Sequence, residues 1–281
     1  MKDLVRSLRV SGLPVPVPWV GLEKIIRPRT QSVMIAMAAS GVGKSALALE
    51  WAVRLDRPVL YLSLDTALVD HAIRLLARKT GLTIEEVERG HDIDLETWAE
   101  RWETEIAELG FQTRFFDQSL QVREISELIA AEAEYWGEPP SLVVVDNLMN
   151  LIEHEESAAE YRRIVGELVK AARENNTLIL ALHHLRRRPA KARGEDGDET
   201  TQPVHLTDSL YAVDQEAKYV LGLWRPYPNR LQIGVLKNRM GGCSPRGDLS
   251  VSLDIDLRRM VITDEFYAAN RIRRQYAEAI P

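Results

Sequence analysis

Residues 32–55 read SVMIAMAASGVGKSALALEWAVRL. The first part, SVMIAM, is apolar without alternation, which marks a strand buried on both faces. The last part, SALALEWAVRL, has the composition of a helix. Between them lies Ala38-Ala-Ser-Gly-Val-Gly-Lys-Ser45. A loop that joins a strand to a helix N-terminus and carries small residues can aim backbone N–H groups at phosphate oxygens. Gly41 and Gly43 supply the backbone freedom, Ser40 and Val42 complete the turn, Lys44 supplies charge for the outer phosphates, and Ser45 supplies a hydroxyl for Mg²⁺. The usual first glycine of such a loop is replaced by Ala38, at the entrance of the turn. The expected ligands are ATP and Mg²⁺.

Working outward, VLYLSL at 59–64, SLVVVD at 141–146 and TLILAL at 177–182 read as further buried strands, with QTRFF at 112–116 a short one. Helices are expected over 68–81, stopped by Gly81, and over 83–90, 94–109, 122–136 and 158–173. Apolar strands alternating with helices predict an α/β fold: a mainly parallel twisted sheet flanked by helices, with ligands at the carboxyl ends of the strands. After residue 205 four close-spaced strands, KYVLGLWR, RLQIGVLK, LSVSLDID and RMVITD, are expected to extend the sheet in antiparallel fashion.

The 281 residues suffice for one large domain with short appendages. The division expected is an N-terminal helix and Pro-rich linker arm over 1–30, an ATPase domain over 31–265 and a basic tail over 266–281. LPVPVPW at 13–19 should run extended. A net charge of −6 means that any nucleic-acid contact must come from local basic patches. Cys243 stands alone, so no intrachain disulfide can form. No apolar run approaches the roughly 20 residues of a membrane span, and no membrane partner is expected. A reducing cytoplasm is the natural setting.

Three further residues belong with the loop. Asp146 ends a buried strand, where a second acid would hold the Mg²⁺ shell with Ser45. Asp65 ends the strand that follows the loop's helix and would orient or deprotonate the attacking water. His184, after the fourth strand, can touch the γ-phosphate and report its loss.

These segments resemble the motor domain of DnaB-type replicative helicases, within the RecA-like superfamily, over about residues 18–264. ASGVGKSALALEWA resembles the family's first motif and SLVVVDNLMNLI its second Walker motif. VLYLSLD resembles the strand that ends in the catalytic acid, with Asp65 where glutamate is usual. LILALHHLRR resembles the motif in which His184 replaces glutamine. VLKNRMGG resembles the family's Lys-x-Arg-x-Gly, which implies that Lys237 and Arg239 reach the γ-phosphate of a neighbouring subunit. The resemblance implies a homo-oligomeric ring, expected to be a hexamer, acting on single-stranded DNA or a forked duplex, with a primase or loader as a further partner. It also fits a short phage- or plasmid-type version without the N-terminal helical domain. A RecA/RadA-like filament-forming recombination ATPase and an ATP-gated adaptor or helicase loader share enough of the pattern to stay open.

The DNA-facing segment expected is 186–206, whose front half carries Arg186, Arg187, Arg188, Lys191 and Arg193. Five cations per subunit repeated around a ring would give a salt-dependent grip on a phosphate backbone. The segment 150–160 is acidic and poorer for this purpose; NRIRRQ at 270–275 is a weaker basic candidate.

Overall fold

The computed structural model of the chain describes residues 12–91, 112–153, 156–185, 199–209, 211 and 213–264. The helix expected over 94–109, the front of the basic segment and the C-terminal tail lie outside these residues.

Nine strands form one sheet: β1 (Ser32–Ala38), β2 (Val59–Ser63), β3 (Thr113–Phe116), β4 (Leu142–Asp146), β5 (Leu178–His184), β6 (Tyr219–Tyr227), β7 (Arg230–Asn238), β8 (Ser250–Asp256) and β9 (Val261–Thr263). Their order is β3-β2-β4-β5-β1-β6-β7-β8-β9. Strands β1 to β6 are mutually parallel, and β7 to β9 are added antiparallel. The helices are α1 (Val20–Ile25), α2 (Lys44–Arg54), α3 (Leu68–Thr80), α4 (Ile84–His91), α5 (Ile125–Trp136) and α6 (Ala158–Glu174).

The unbroken apolar strands are explained by two cores. Met34, Ala36 and Ala38 face one core with Leu47 and Trp51 of α2. Val33, Ile35 and Met37 face the other with Ile129 of α5 and Ile164 and Leu168 of α6. A fully buried branched side chain is worth about 2 kcal/mol over exposure, so neither face of β1 can turn to water. Gly81, left-handed at φ 76°, ends α3 as its sequence position predicts.

Residues 13–19 run extended, and they pack against the body of the fold. Val15, Val17 and Trp19 turn inward and are buried, while Pro14 and Pro16 stay exposed. Proline carbonyls still accept hydrogen bonds: Trp51 Nε1 donates to Pro16 O at 2.9 Å and Arg54 Nη2 to Pro18 O at 2.7 Å. Trp19 Nε1 donates to Ile262 O at 3.1 Å, and Val20 N to Asp264 Oδ2 at 2.8 Å. Residues 12–30 are thus a strap over the sheet.

Candidate nucleotide-binding and catalytic site

The sheet brings its functional side chains together by register. Ala38 of β1 lies beside His184 of β5, and Ser63 of β2 beside Asp146 of β4. All four strands therefore end at one edge. A cleft of about 360 Å³ opens there, and Lys44, Ser45, Asp65, Asp146 and His184 line it.

The loop from β1 to α2 has the geometry its glycines allow. Gly41 and Gly43 sit at φ 76° and 114°, the left-handed region that favours glycine. A Cβ on Gly43 would also press on Ile255 Cδ1 at 3.0 Å. Gly43 is the N-cap of α2, and no side chain caps that first turn. This leaves helix N–H groups for an anion. Ser40, Gly41 and Gly43 line the cleft, whereas the Val42 side chain is buried in the core, so Val42 can offer only its backbone.

Lys44 is 7% exposed and donates to Ala38 O at 3.0 Å and Ala39 O at 3.1 Å, with His184 Nδ1 at 3.4 Å. Burial lowers its pKa to about 8, against the pull of Asp146. Burial raises the pKa of Asp146, opposed by hydrogen bonds from Ser45 and Tyr61 and by the charges of Lys44 and Arg74. His184 has its pKa lowered by burial and by Lys44, which favours a neutral ring. Asp65 Oδ2 accepts from Asn147 Nδ2 at 3.3 Å. Ser63 Oγ donates to Thr66 O at 2.5 Å and so ties the turn that carries Asp65.

The groups present fit Mg-ATP. An uncapped helix start and a buried lysine suit phosphates, and a hydroxyl hydrogen-bonded to a carboxylate offers the hard oxygens that Mg²⁺ prefers. Arg74 adds a further sign: it lines the cleft, and its Nη1 is buried without a hydrogen-bond partner. The sequence reading missed Arg74, Asn147 and Tyr61. A lone cation among Ile73, Leu75 and Leu76 was the available signal for Arg74.

Lys237 and Arg239 lie elsewhere. Asn238 pairs with Tyr219, which pairs with Met34, near the start of β1. Their backbone is thus roughly 13 Å down the strands from Ala38, at 3.3 Å per residue. Lys237 Nζ donates to Asp214 O at 2.6 Å, and Arg239 Nη2 to Gln215 O at 2.9 Å. Arg186, Arg187, Arg188, Lys191 and Arg193 lie outside the described residues.

A parallel sheet with such a loop, lysine and strand-end acid at its carboxyl edge defines a P-loop nucleotide-binding fold of the RecA type. Residues 15–251 match the family described as DnaB-like helicase C-terminal domain, and the chain belongs to that family. It is 26% identical over 265 residues to the Gene 65 protein of Mycobacterium phage L5, covering 90% of this chain and 94% of that one. The Gene 65 protein of Mycobacterium phage D29 is 24% identical, covering 82% and 98%. Among solved structures, an ATPase domain superposes with a TM-score of 0.74 at 18% identity, over 94% of this chain and 95% of that one. A DnaB-like replicative helicase, solved with its interactions with primase, gives 0.72 at 20% identity, over 93% and 64%. The RadB recombinase gives 0.53 at 18%, over 89% and 99%, which marks the shared fold.

Proposed function

We propose that the chain is an ATP-dependent, ring-forming DNA helicase or translocase of DNA replication that hydrolyses ATP where two subunits meet. One observation carries the reading. The cleft holds every group for binding and water activation, while Lys237 and Arg239 stand at the far edge of the same sheet, out of reach of their own cleft. A neighbour stacked head to tail would present them to it.

In this reading Lys44 and the backbone of 40–45 would hold the phosphates, and Ser45 and Asp146 would hold Mg²⁺, which would supply neutralisation of phosphate charge. Asp65, held by Asn147, orients the water and accepts its proton. Arg74 adds a cation in cis; Lys237 and Arg239 of the next subunit add theirs in trans, and an arginine's fork suits phosphate oxygens. His184 sits against Lys44, and the next residue, Leu185, bridges Ser209 and donates its N–H to Ala38 O at 3.3 Å. The basic run begins one residue later. A change at the γ-phosphate is thereby passed to Arg186, Arg187, Arg188, Lys191 and Arg193, which grip single-stranded DNA. A hexamer, a primase or loader partner and a cytoplasmic site of action, in a bacterium or a phage-infected host, complete the proposal; the family and its phage relatives support them.

The test uses purified protein, forked DNA and ATP. Lys44→Ala is expected to lose ATP binding and unwinding. Arg239→Ala is expected to keep ATP binding and lose hydrolysis by roughly 10³-fold, the scale of an arginine finger. Hydrolysis by dilute monomer as fast as by the assembly contradicts the shared site. Filaments in negative-stain images favour the recombinase reading, and ATP binding without DNA stimulation favours an adaptor.

A further inference from the structure

Behind the cleft lies a buried polar arrangement that hydrolysis itself does not use. Tyr61, on β2, is fully buried, yet its hydroxyl donates to Asp146 Oδ2 at 2.9 Å. The backbone of Tyr61 lies opposite Val144, two residues before Asp146, and the length of the phenol covers that step. The ring is held on two sides, by His71 at 5.0 Å and Phe115 at 5.2 Å between centroids. His71 is fixed in turn by Ser63 Oγ, 2.7 Å from its Nε2. Burial, and then Asp146 itself, push the phenol's pKa well up, so the hydroxyl remains a donor.

A carboxylate with one such bond on one oxygen is limited in rotation, and the rest of it is left for Ser45 and a cation. Partners that orient a metal ligand from behind govern metal affinity as well as geometry. We propose that Tyr61 is the positioning residue for Asp146, holding the carboxylate towards Ser45 before Mg²⁺ arrives. The inference rests on the Mg-nucleotide reading of the cleft. Tyr61 touches neither nucleotide nor metal and acts only through Asp146.

The test is a Mg²⁺ titration of the full-length chain bound to a fluorescent ADP analogue. Tyr61→Phe removes one oxygen and keeps the ring between His71 and Phe115; its melting temperature, measured first, sets a temperature at which it is folded. The variant is expected to bind the analogue in EDTA as the parent does. Its half-saturating Mg²⁺ should rise about 10-fold. In an Asp146→Asn background the same change should have no further effect, because the acting group is already gone. A parent whose nucleotide binding ignores Mg²⁺ overturns the Mg-nucleotide reading and this inference with it. A parent that responds, with Tyr61→Phe titrating identically, overturns this inference alone. So does an equal shift in the Asp146→Asn background, since that is the mark of a merely structural tyrosine.

Discussion

His71 is a buried ring with one nitrogen employed and one bare. Ser63 gives its only hydroxyl proton to Thr66 O, so it must accept from His71 Nε2–H. That fixes the tautomer and leaves Nδ1 as an acceptor, buried and without a hydrogen-bond partner. Burial, and then the charge of Arg74, lower the pKa from 6.5 to about 4. Between these two values the unfolded chain binds the proton and the folded chain does not, so stability is present above pH 6.5 and is lost as pH falls towards 4. From pH 7 to 5 the loss is about 2 kcal/mol. Urea unfolding at the two pH values should show this drop shrinking by that amount in His71→Phe; an unchanged drop means that His71 is not the group responsible. Lys44 and Ser45 were legible as candidates because they follow from spacing along one strand–loop–helix unit, and Asp146 because it ends a separate apolar strand. His71, Tyr61 and Arg74 were not, because each depends on how α3 and β3 lie against β2, which spacing does not give.

At the scale of elements, α2 and α3 are joined by an ion pair whose carboxylate is buried and whose arginine is partly exposed. Glu50, 3% exposed, accepts from Arg78 Nε at 2.5 Å and Nη2 at 3.1 Å. A two-pronged bond to a carboxylate fixes the angle of the partner as well as its distance. It holds α3, which carries Arg74, against the helix that carries Lys44. Arg78→Met leaves the Glu50 charge buried and is expected to lower stability by about 2–3 kcal/mol, read as a lower urea midpoint with an unchanged slope. A double variant with Glu50→Gln should recover part of the loss. The strands and most helices agree with the sequence pattern to within a few residues, because each apolar run serves one of two cores. The extended course of 13–19 follows from its prolines; its packing against the sheet does not. Yet Val15-Pro-Val17-Pro-Trp19 alternates with a period of two, and that alternation was a burial signal in plain view.

For the whole molecule, the sheet is polar: a cleft on one edge and two cations on the other. Subunits that share sites in the way proposed would be able to rescue one another. An Arg239→Ala chain has an intact cleft, and a Lys44→Ala chain has an intact arginine. In an equal mixture about a quarter of head-to-tail interfaces hold both. Steady-state ATPase assays should therefore find activity in the mixture that neither variant has alone. No recovery would place the two groups on the same chain's nucleotide.

The strap has a last consequence, which concerns time. The bond from Trp19 to Ile262 spans 243 residues, so it cannot form until β9 has been synthesised. At roughly 5–20 residues per second a ribosome takes on the order of 10–50 s to cover that distance. For that interval Trp19, with Val15 and Val17 beside it, waits without the strand that closes over it. Contacts so distant in sequence form slowly even in a finished chain. The strap is thus made well before the strand that covers it, and its apolar side chains stay uncovered for that interval.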